Sequence, residues 1–180
     1  DDYDLSNLKT LYLAGERADP DTIEWAQRHV KVPVIDHWWQ TETGYAIAAN
    51  PMGIEHLPVK IGSPSVPMPG FDVQVLDEGG HPVAAGQLGA IAIKLPLPPG
   101  TLPTLWNAEE RYVAGYLSVY EGYYLTGDGG MIDEDGYLRI VDRKKELIIT
   151  AGGKNISPAN LEAALKMIPL VGQAAAIGDQ

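Results

Sequence analysis

The first part of the chain has an apolar pattern that predicts a strand, a helix and a second strand. Residues 8–13 and 32–37 are short apolar runs, and residues 18–30 between them have a helical period. Asp19 can cap that helix and Pro20 suits its first turn. The apolar positions that share one helical face are Ile23, Ala26 and Val30. This order predicts a βαβ unit with parallel strands, whose C-terminal ends are the first place to look for chemistry.

From about residue 59 the pattern changes to short alternating segments separated by turn residues. Residues 71–77, 88–95 and 122–143 alternate apolar and polar side chains, as half-buried strands do. Pro and Gly cluster at 96–103, and the residues 133–136, DEDG, have the composition of a hairpin turn. This segment predicts an antiparallel, barrel-like β structure.

The last part of the chain returns to mixed structure. Residues 146–150 predict a strand, residues 151–155 a glycine turn, and Ser157 and Pro158 the start of a helix that ends before Pro169. The apolar positions on one face of that helix are Leu161, Ala164, Leu165 and Ile168. The chain ends at residues 174–180, inside or just after a predicted strand that has no partner, so we expect the chain to be a piece of a larger protein.

The composition of the chain excludes several classes of protein. The 180 residues are 45% hydrophobic, and no apolar run reaches the roughly 20 residues of a membrane span. The formal charge of −11 argues against a nucleic-acid-binding protein, which needs an excess of cations. Without Cys there is no disulfide, thiolate metal site or thiol nucleophile, and the first ten residues are not a signal peptide. The expected location is the cytoplasm.

The most specific run is residues 36–44, DHWWQTETG, which follows the second predicted strand. Its two Trp side chains offer a stacking surface, and its hydroxyl and carboxylate groups offer hydrogen-bond donors and a ligand for a hard cation. The alternative is structural: the Trp pair belongs to the core, and Thr41 and Glu42 are a helix-capping fragment.

Residue by residue, this run resembles the WWQTETG signature of the acyl-adenylate-forming (AMP-binding) ligases, in particular the acetyl- and propionyl-CoA synthetases. The resemblance implies that Trp38 stacks on adenine, that Thr41 contacts the adenylate phosphate and that Glu42 holds Mg²⁺ on the ATP phosphates. It also assigns to the nucleotide site the neighbouring residues Asp36, His37 and Gln40.

Trp39 carries the substrate prediction. Ligases for long or aromatic acids resemble this pattern with Gly at that position, whereas an indole there closes the acyl pocket. The resemblance therefore implies a carboxylate of two or three carbons, selected by exclusion.

Two further segments fit the same resemblance. Gly15, Glu16 and Arg17 stand where the family has a Gly-Glu pair beside adenine. Residues 122–129, GYYLTGDG, resemble the family's aromatic-x-TGD motif, in which the Asp, here Asp128, accepts hydrogen bonds from both ribose hydroxyls. The alternative for Asp128 is an ordinary Asp-Gly hairpin turn.

The resemblance continues into a hinge. It implies that Arg143 reaches ribose and phosphate oxygens, that Lys145 is the pivot, and that Ala151 and Gly152 let the pantetheine arm of CoA approach the backbone. The alternative for the run 143–145 is a solvated basic face. From Lys144 onward the string resembles bacterial long-chain fatty acyl-CoA synthetases instead, which leaves a medium- or long-chain ligase as the alternative substrate class.

The expected fold is mixed α/β and β. The resemblance implies a division into three parts. Residues 1–142 are the C-terminal part of a large AMP-binding domain (1–58 βαβ and adenine loop, 59–142 β-rich subdomain), residues 143–146 are the hinge, and residues 147–180 are the start of a small α+β domain.

The expected activity is ATP-dependent formation of an acyl-adenylate and transfer of the acyl group to CoA. We expect the family's phosphate loop before residue 1 and its catalytic Lys after residue 180, and the alternative from another class is a non-catalytic nucleotide-binding or structural fragment.

Overall fold

The parallel unit predicted at the start of the chain is present. The computed structural model describes residues 3–15, 20–143, 148–149, 155–166, 168 and 170–178. Strands β1 (Leu11–Leu13) and β2 (Val34–Asp36) pair in parallel, and helix α1 (Pro20–Val30) connects them. The buried face of α1, with Ile23 and Ala26, packs against Val34. The predicted βαβ unit is therefore confirmed over these residues.

The Trp pair begins a second sheet. Strand β3 (Trp38–Trp39) pairs antiparallel with β4 (Ala46–Ala49), which pairs with β5 (Val66–Pro67). A 3₁₀ turn, Thr41–Thr43, connects β3 to β4. The apolar run 32–37 was expected to be one strand, but the structure ends β2 at Asp36 and uses the two Trp residues in a separate hairpin.

The alternating segments form a four-stranded antiparallel sheet, as predicted. Its strands, in the order in which they pair, are β6 (Asp72–Leu76), β7 (Gly89–Lys94), β8 (Tyr123–Ile132) and β9 (Leu138–Arg143). The turn at 133–136 is closed by hydrogen bonds from Gly136 N to Asp133 O and from Asp133 N to Tyr137 O. Buried side chains of this sheet and of β4 form one core, made by Ile47, Ala48, Phe71, Val73, Ile91, Ile93, Tyr124 and Leu138.

One helical segment between β7 and β8 has no counterpart in the sequence prediction. Helix α2 (Glu109–Tyr112) runs directly into a π-helical turn, Val113–Leu117. The segment packs Tyr116 and Leu117 against the core of the antiparallel sheet. This position makes it important for the site described below.

The end of the chain agrees with the prediction in part. Strands β10 (Ile148–Ile149) and β11 (Asn155–Ile156) pair antiparallel, and α3 (Pro158–Lys166) is the predicted helix. Its apolar positions Leu161 and Leu165 are nearly half exposed rather than buried. The strand predicted at 174–180 is wrong for residues 174–178, which have no regular structure. In the described part of the chain, no helix is long and apolar enough to cross a membrane.

Candidate functional site

The turn between β3 and β4 is fixed by Thr43. Its Oγ1 accepts a hydrogen bond from Gln40 N at 3.1 Å and lies 2.9 Å from the carbonyl oxygens of Gln40 and Tyr45, either of which can accept its proton. Thr43 N also donates to Gln40 O, and Gly44 follows with φ +63°, a left-handed conformation that favours glycine. The turn leaves Thr41 exposed and Glu42 half-buried. The sequence TETG therefore places two predicted site residues on the rim of a tight turn.

Gln40 connects this turn to the second predicted motif. Its Nε2 donates to Thr126 O at 2.7 Å and to Asp128 Oδ2 at 3.0 Å, and its Oε1 accepts a hydrogen bond from Tyr124 Oη at 3.3 Å. The amide of Gln40 thus uses both its donor and its acceptor on β8. Two segments 88 positions apart in sequence lie in direct contact.

Glu42 forms hydrogen bonds with the segment between β7 and β8 rather than with β8. Tyr116 Oη donates to Glu42 Oε1 at 2.8 Å, and Leu102 N donates to Glu42 O at 2.6 Å. The π-helical turn and the loop before α2 therefore both contact the residue predicted to bind a metal. Glu42, Gln40 and Asp128 belong to one connected group of side chains.

The fit of Glu42 to Mg²⁺ can be judged from its surroundings. In the residues that the structure describes, no three His, Cys, Asp or Glu side chains come together as a metal cage. Mg²⁺ in nucleotide sites is commonly bound by one or two carboxylates, with substrate phosphates and water completing the shell. A single half-buried carboxylate on a turn fits a metal ion that arrives with a nucleotide.

The ends of the parallel strands carry a second group of predicted residues. Burial raises the pKa of Asp36 to about 6, against the opposing effect of a hydrogen bond from the His37 backbone. His37 Nδ1 is buried, with no hydrogen-bond partner among the described residues, and its ring meets that of Tyr12 edge-on at 5.9 Å. Gly15 lies two residues after the end of β1 and has φ +99°. Glu16 and Arg17 lie outside the described residues.

The structure separates the two Trp side chains. Trp38 is half-buried and packs against the core of the antiparallel sheet. Trp39 is 46% exposed and lines an open cleft of about 770 Å³ together with Tyr12, Tyr45, Met52 and Met68. Trp38 thus packs as the structural alternative for the Trp pair expects. The position of Trp39 in the lining of the cleft agrees with a role in a binding pocket. Adenine stacking by Trp38 stays a prediction.

Most of the residues predicted for the hinge and for CoA lie outside the described part of the chain. Lys145, Ala151 and Gly152 lie outside the described residues, as does the side chain of Arg143. The backbone of Arg143 pairs with Asp128 across β8 and β9. The structure therefore brings Arg143 and Asp128 together only at the level of the backbone.

Sequence reasoning missed four residues that build the site: Thr43, Tyr116, Tyr124 and Thr126. Thr43 belongs to the signature run and could have been identified as a turn-forming hydroxyl. Tyr112 and Tyr116 stand at i and i+4, the spacing of contacting residues on a helix, and this was the available signal for α2. The partners of Tyr124 and Thr126 depend on pairing over a long distance in sequence.

Comparison with known proteins gives a consistent result. The sequence model of a family described as AMP-binding enzyme matches residues 1–101. The chain is 45% identical over 98% of its length to an uncharacterized protein of Pseudomonas aeruginosa, of which it covers 28%. It is 39% identical over 98% of its length to the propionate–CoA ligase of Escherichia coli (28% of that protein), and 39% identical over 99% to human mitochondrial acyl-CoA synthetase short-chain family member 3 (26%). The chain thus spans only 26–28% of these relatives.

Proposed function

The chain belongs to the AMP-binding enzyme family, and on that premise we propose that it supplies part of the active site of an AMP-forming acyl-CoA synthetase. The proposed substrates are ATP, CoA and a short-chain carboxylate, propionate or acetate. The similarity to a propionate–CoA ligase and to short-chain acyl-CoA synthetases supports this substrate class.

The proposed reaction has two steps. A carboxylate oxygen attacks the α-phosphorus of ATP, the bond from that phosphorus to the bridging oxygen breaks, and pyrophosphate leaves with its electron pair. The sulfur of CoA then attacks the acyl carbon of the resulting mixed anhydride and loses its proton, while AMP is expelled. In this scheme the side chains of this chain bind and orient, and none of them becomes a covalent nucleophile.

The observation that carries the proposal is the contact between Gln40 and Asp128. It joins the turn that bears Thr41 and Glu42 to a carboxylate on β8. A carboxylate accepts several hydrogen bonds at once, which suits the paired hydroxyls of a ribose. We propose that Asp128 binds the ribose, that Thr41 contacts the α-phosphate and that Glu42 would hold Mg²⁺, which neutralises phosphate charge when bound.

The remaining nucleotide contacts extend this site. Asp36, His37 and Trp38 are proposed to line the adenine side, with Gly15, Glu16 and Arg17 beside them. The proximity of the β1 and β2 ends supports this grouping, since His37 N donates to Leu13 O at 3.1 Å. Arg143 is proposed to reach ribose and phosphate oxygens as part of a hinge over 143–146. Lys145 is proposed as its pivot, with Ala151 and Gly152 on the path of CoA.

Trp39 is proposed to limit the length of the acyl chain. Its indole is exposed to the cleft, and in this proposal it leaves room for an acyl group of only two or three carbons. Selection by exclusion is a steric effect, so removing the indole should admit longer acids.

Trp39→Gly in the intact natural protein tests the function and its specificity together. The assay is acid-dependent release of pyrophosphate from ATP, with acetate, propionate, hexanoate and octanoate as substrates. We expect the unaltered protein to prefer the two short acids and the variant to shift its kcat/KM ratio toward octanoate by about 100-fold or more, since each methylene in an apolar pocket is worth about tenfold or more.

A matched control is Trp106→Gly, because Trp106 is 91% exposed and does not line the cleft. It should leave the preference unchanged. An unaltered protein that prefers octanoate would favour the long-chain alternative suggested by the string after Lys144. A Trp39→Gly variant with unchanged preference would contradict the pocket assignment.

A further inference from the structure

The Glu42 carboxylate depends on one phenol for its orientation. Tyr116 Oη donates to Glu42 Oε1 at 2.8 Å, and no second side chain among the described residues forms a hydrogen bond with this carboxylate. Thr43, in the same turn, bonds only backbone atoms. A hydrogen bond to a charged oxygen is stronger than one between neutral groups. The carboxylate of a flexible Glu side chain is thereby held on the side of the π-helical turn.

Tyr116 is itself fixed by a stack of rings. Its ring lies nearly parallel to that of Tyr124, with the ring centroids 5.3 Å apart and an angle of 5° between the planes. The ring centroid of Tyr112 lies 5.4 Å from that of Tyr116. Tyr124 is completely buried in the core of the antiparallel sheet. Stacking on this buried ring therefore holds the Tyr116 ring in place.

The same stack reaches the other half of the site. Tyr124 Oη donates to Gln40 Oε1, and Gln40 Nε2 donates to Asp128 Oδ2. A continuous path thus leads from Glu42 through two stacked tyrosines and Gln40 to Asp128. Its two ends are the carboxylates proposed to serve the metal and the ribose.

We propose that Tyr116 is a positioning residue that orients Glu42 for the metal–phosphate end of the nucleotide, and that its stack on Tyr124 sets the distance of Glu42 from Gln40 and Asp128. This inference rests on the proposed function and adds Tyr116, which neither sequence motif contains, and a role for Tyr124.

The backbone of Tyr116 agrees with this role. Tyr116 lies in a π-helical turn, a rare conformation that occurs frequently at functional sites.

The test is a binding experiment on the intact natural protein with Tyr116→Phe, which keeps the ring stack and removes only the donor. Calorimetry measures binding of α,β-methylene-ATP over a series of Mg²⁺ concentrations, and of AMP without metal. We expect the variant to need about 10-fold or more additional Mg²⁺ for half-maximal binding of the analogue, as the loss of a hydrogen bond to a charged group implies, and to bind AMP within about twofold of the unaltered protein.

Tyr124→Phe gives an independent test from the other end of the path. It removes the donor to Gln40, so we expect weaker AMP binding, by a few-fold, with little change in the Mg²⁺ requirement. The matched control is Tyr137→Phe, which also loses one hydrogen bond of a buried tyrosine, from its Oη to Pro58 O at 2.8 Å, and should change neither quantity.

The outcomes separate the inference from the function it rests on. If Glu42→Gln raises the Mg²⁺ requirement and Tyr116→Phe does not, the positioning role is wrong and the proposed function stands. Equal losses in both assays for Tyr116→Phe and Tyr124→Phe would indicate packing alone and also overturn it. An unaltered protein that binds neither nucleotide would contradict the proposed function itself, and the positioning role would fall with it.

Discussion

The antiparallel and parallel parts of this chain differ in how completely they bury their own surfaces. The antiparallel sheet and β4 share a core in which Ile47, Ile91, Ile93 and Tyr124 are fully buried. The parallel pair β1–β2 is covered by α1 on one face, and Tyr12 in β1 is 49% exposed. Parallel sheets are usually covered on both faces. The two parts should therefore differ in stability as well as in structure.

The same difference runs through the candidate site. Gln40 bonds Asp128 and the buried Tyr124 of β8, and Glu42 accepts a hydrogen bond from the half-buried Tyr116, which stacks on Tyr124. Asp36 and His37 stand at the end of the parallel pair, where one carboxyl has a raised pKa and one ring nitrogen has no partner among the described residues. The side of the site proposed for ribose and metal thus has more side-chain hydrogen bonds than the side proposed for adenine.

The largest expected effect is overpacking of the antiparallel sheet by Gly130→Ala. An added Cβ would overlap the carbonyl oxygen of Arg139 on β9 and lie 2.8 Å from Ile91 Cδ1. We expect a loss of about 3 kcal/mol in the free energy of unfolding, measured by urea denaturation. Gly53→Ala is the control, because no atom lies within 4 Å of its added Cβ and the effect should be small. A loss below about 1 kcal/mol for Gly130→Ala would show that the sheet is not closely packed.

A smaller and more local effect is expected from Ile23→Ala in α1. Ile23 is buried in a small cluster with Ala26 and Val34, and the loss should be about 2 kcal/mol, the lower end for such a truncation, because the unit can partly collapse. Hydrogen exchange is the sharper measurement. The amides of β1 and β2 should lose protection while those of β7 keep theirs, and equal losses in both sheets would mean that the two parts unfold as one.

The smallest effect concerns the pH dependence of stability at Asp36. The pKa of this carboxyl rises from 3.8 to about 6 on folding. The folded state therefore holds the proton more tightly, and stability falls as pH rises from about 4 to about 6. Allowing for solvent access, we expect a loss of about 1 kcal/mol across this window, absent in Asp36→Asn. Parallel pH profiles of the two proteins would contradict the raised pKa.

The sequence predicted the elements whose signals are local. The helical period between residues 18 and 30, the alternation in 71–77 and 88–95, and the DEDG turn each produced the predicted element. The signature run also identified Gln40 and Glu42 as candidates, and the motif at 122–129 identified Asp128, through resemblance rather than through geometry.

The missed features depend on contacts that a local pattern does not contain. Helix α2 has only four residues and no full amphipathic period, so nothing marked Tyr116 as a neighbour of Glu42. The strand expected at 174–178 had apolar residues and no partner to pair with. The contact of Gln40 with Asp128 requires β8 to lie beside the β3–β4 turn, which only the tertiary structure decides.

The most direct test of the central claim is a calorimetric titration of the intact natural protein and its Asp128→Ala variant with AMP. We expect the unaltered protein to bind AMP and the variant to bind it at least about tenfold more weakly, because the ribose hydroxyls lose a charged acceptor. Asp72→Ala, which removes an exposed carboxylate at the start of β6, should bind AMP normally. Equal affinity for AMP in Asp128→Ala and the unaltered protein, or no binding by either, would contradict the account.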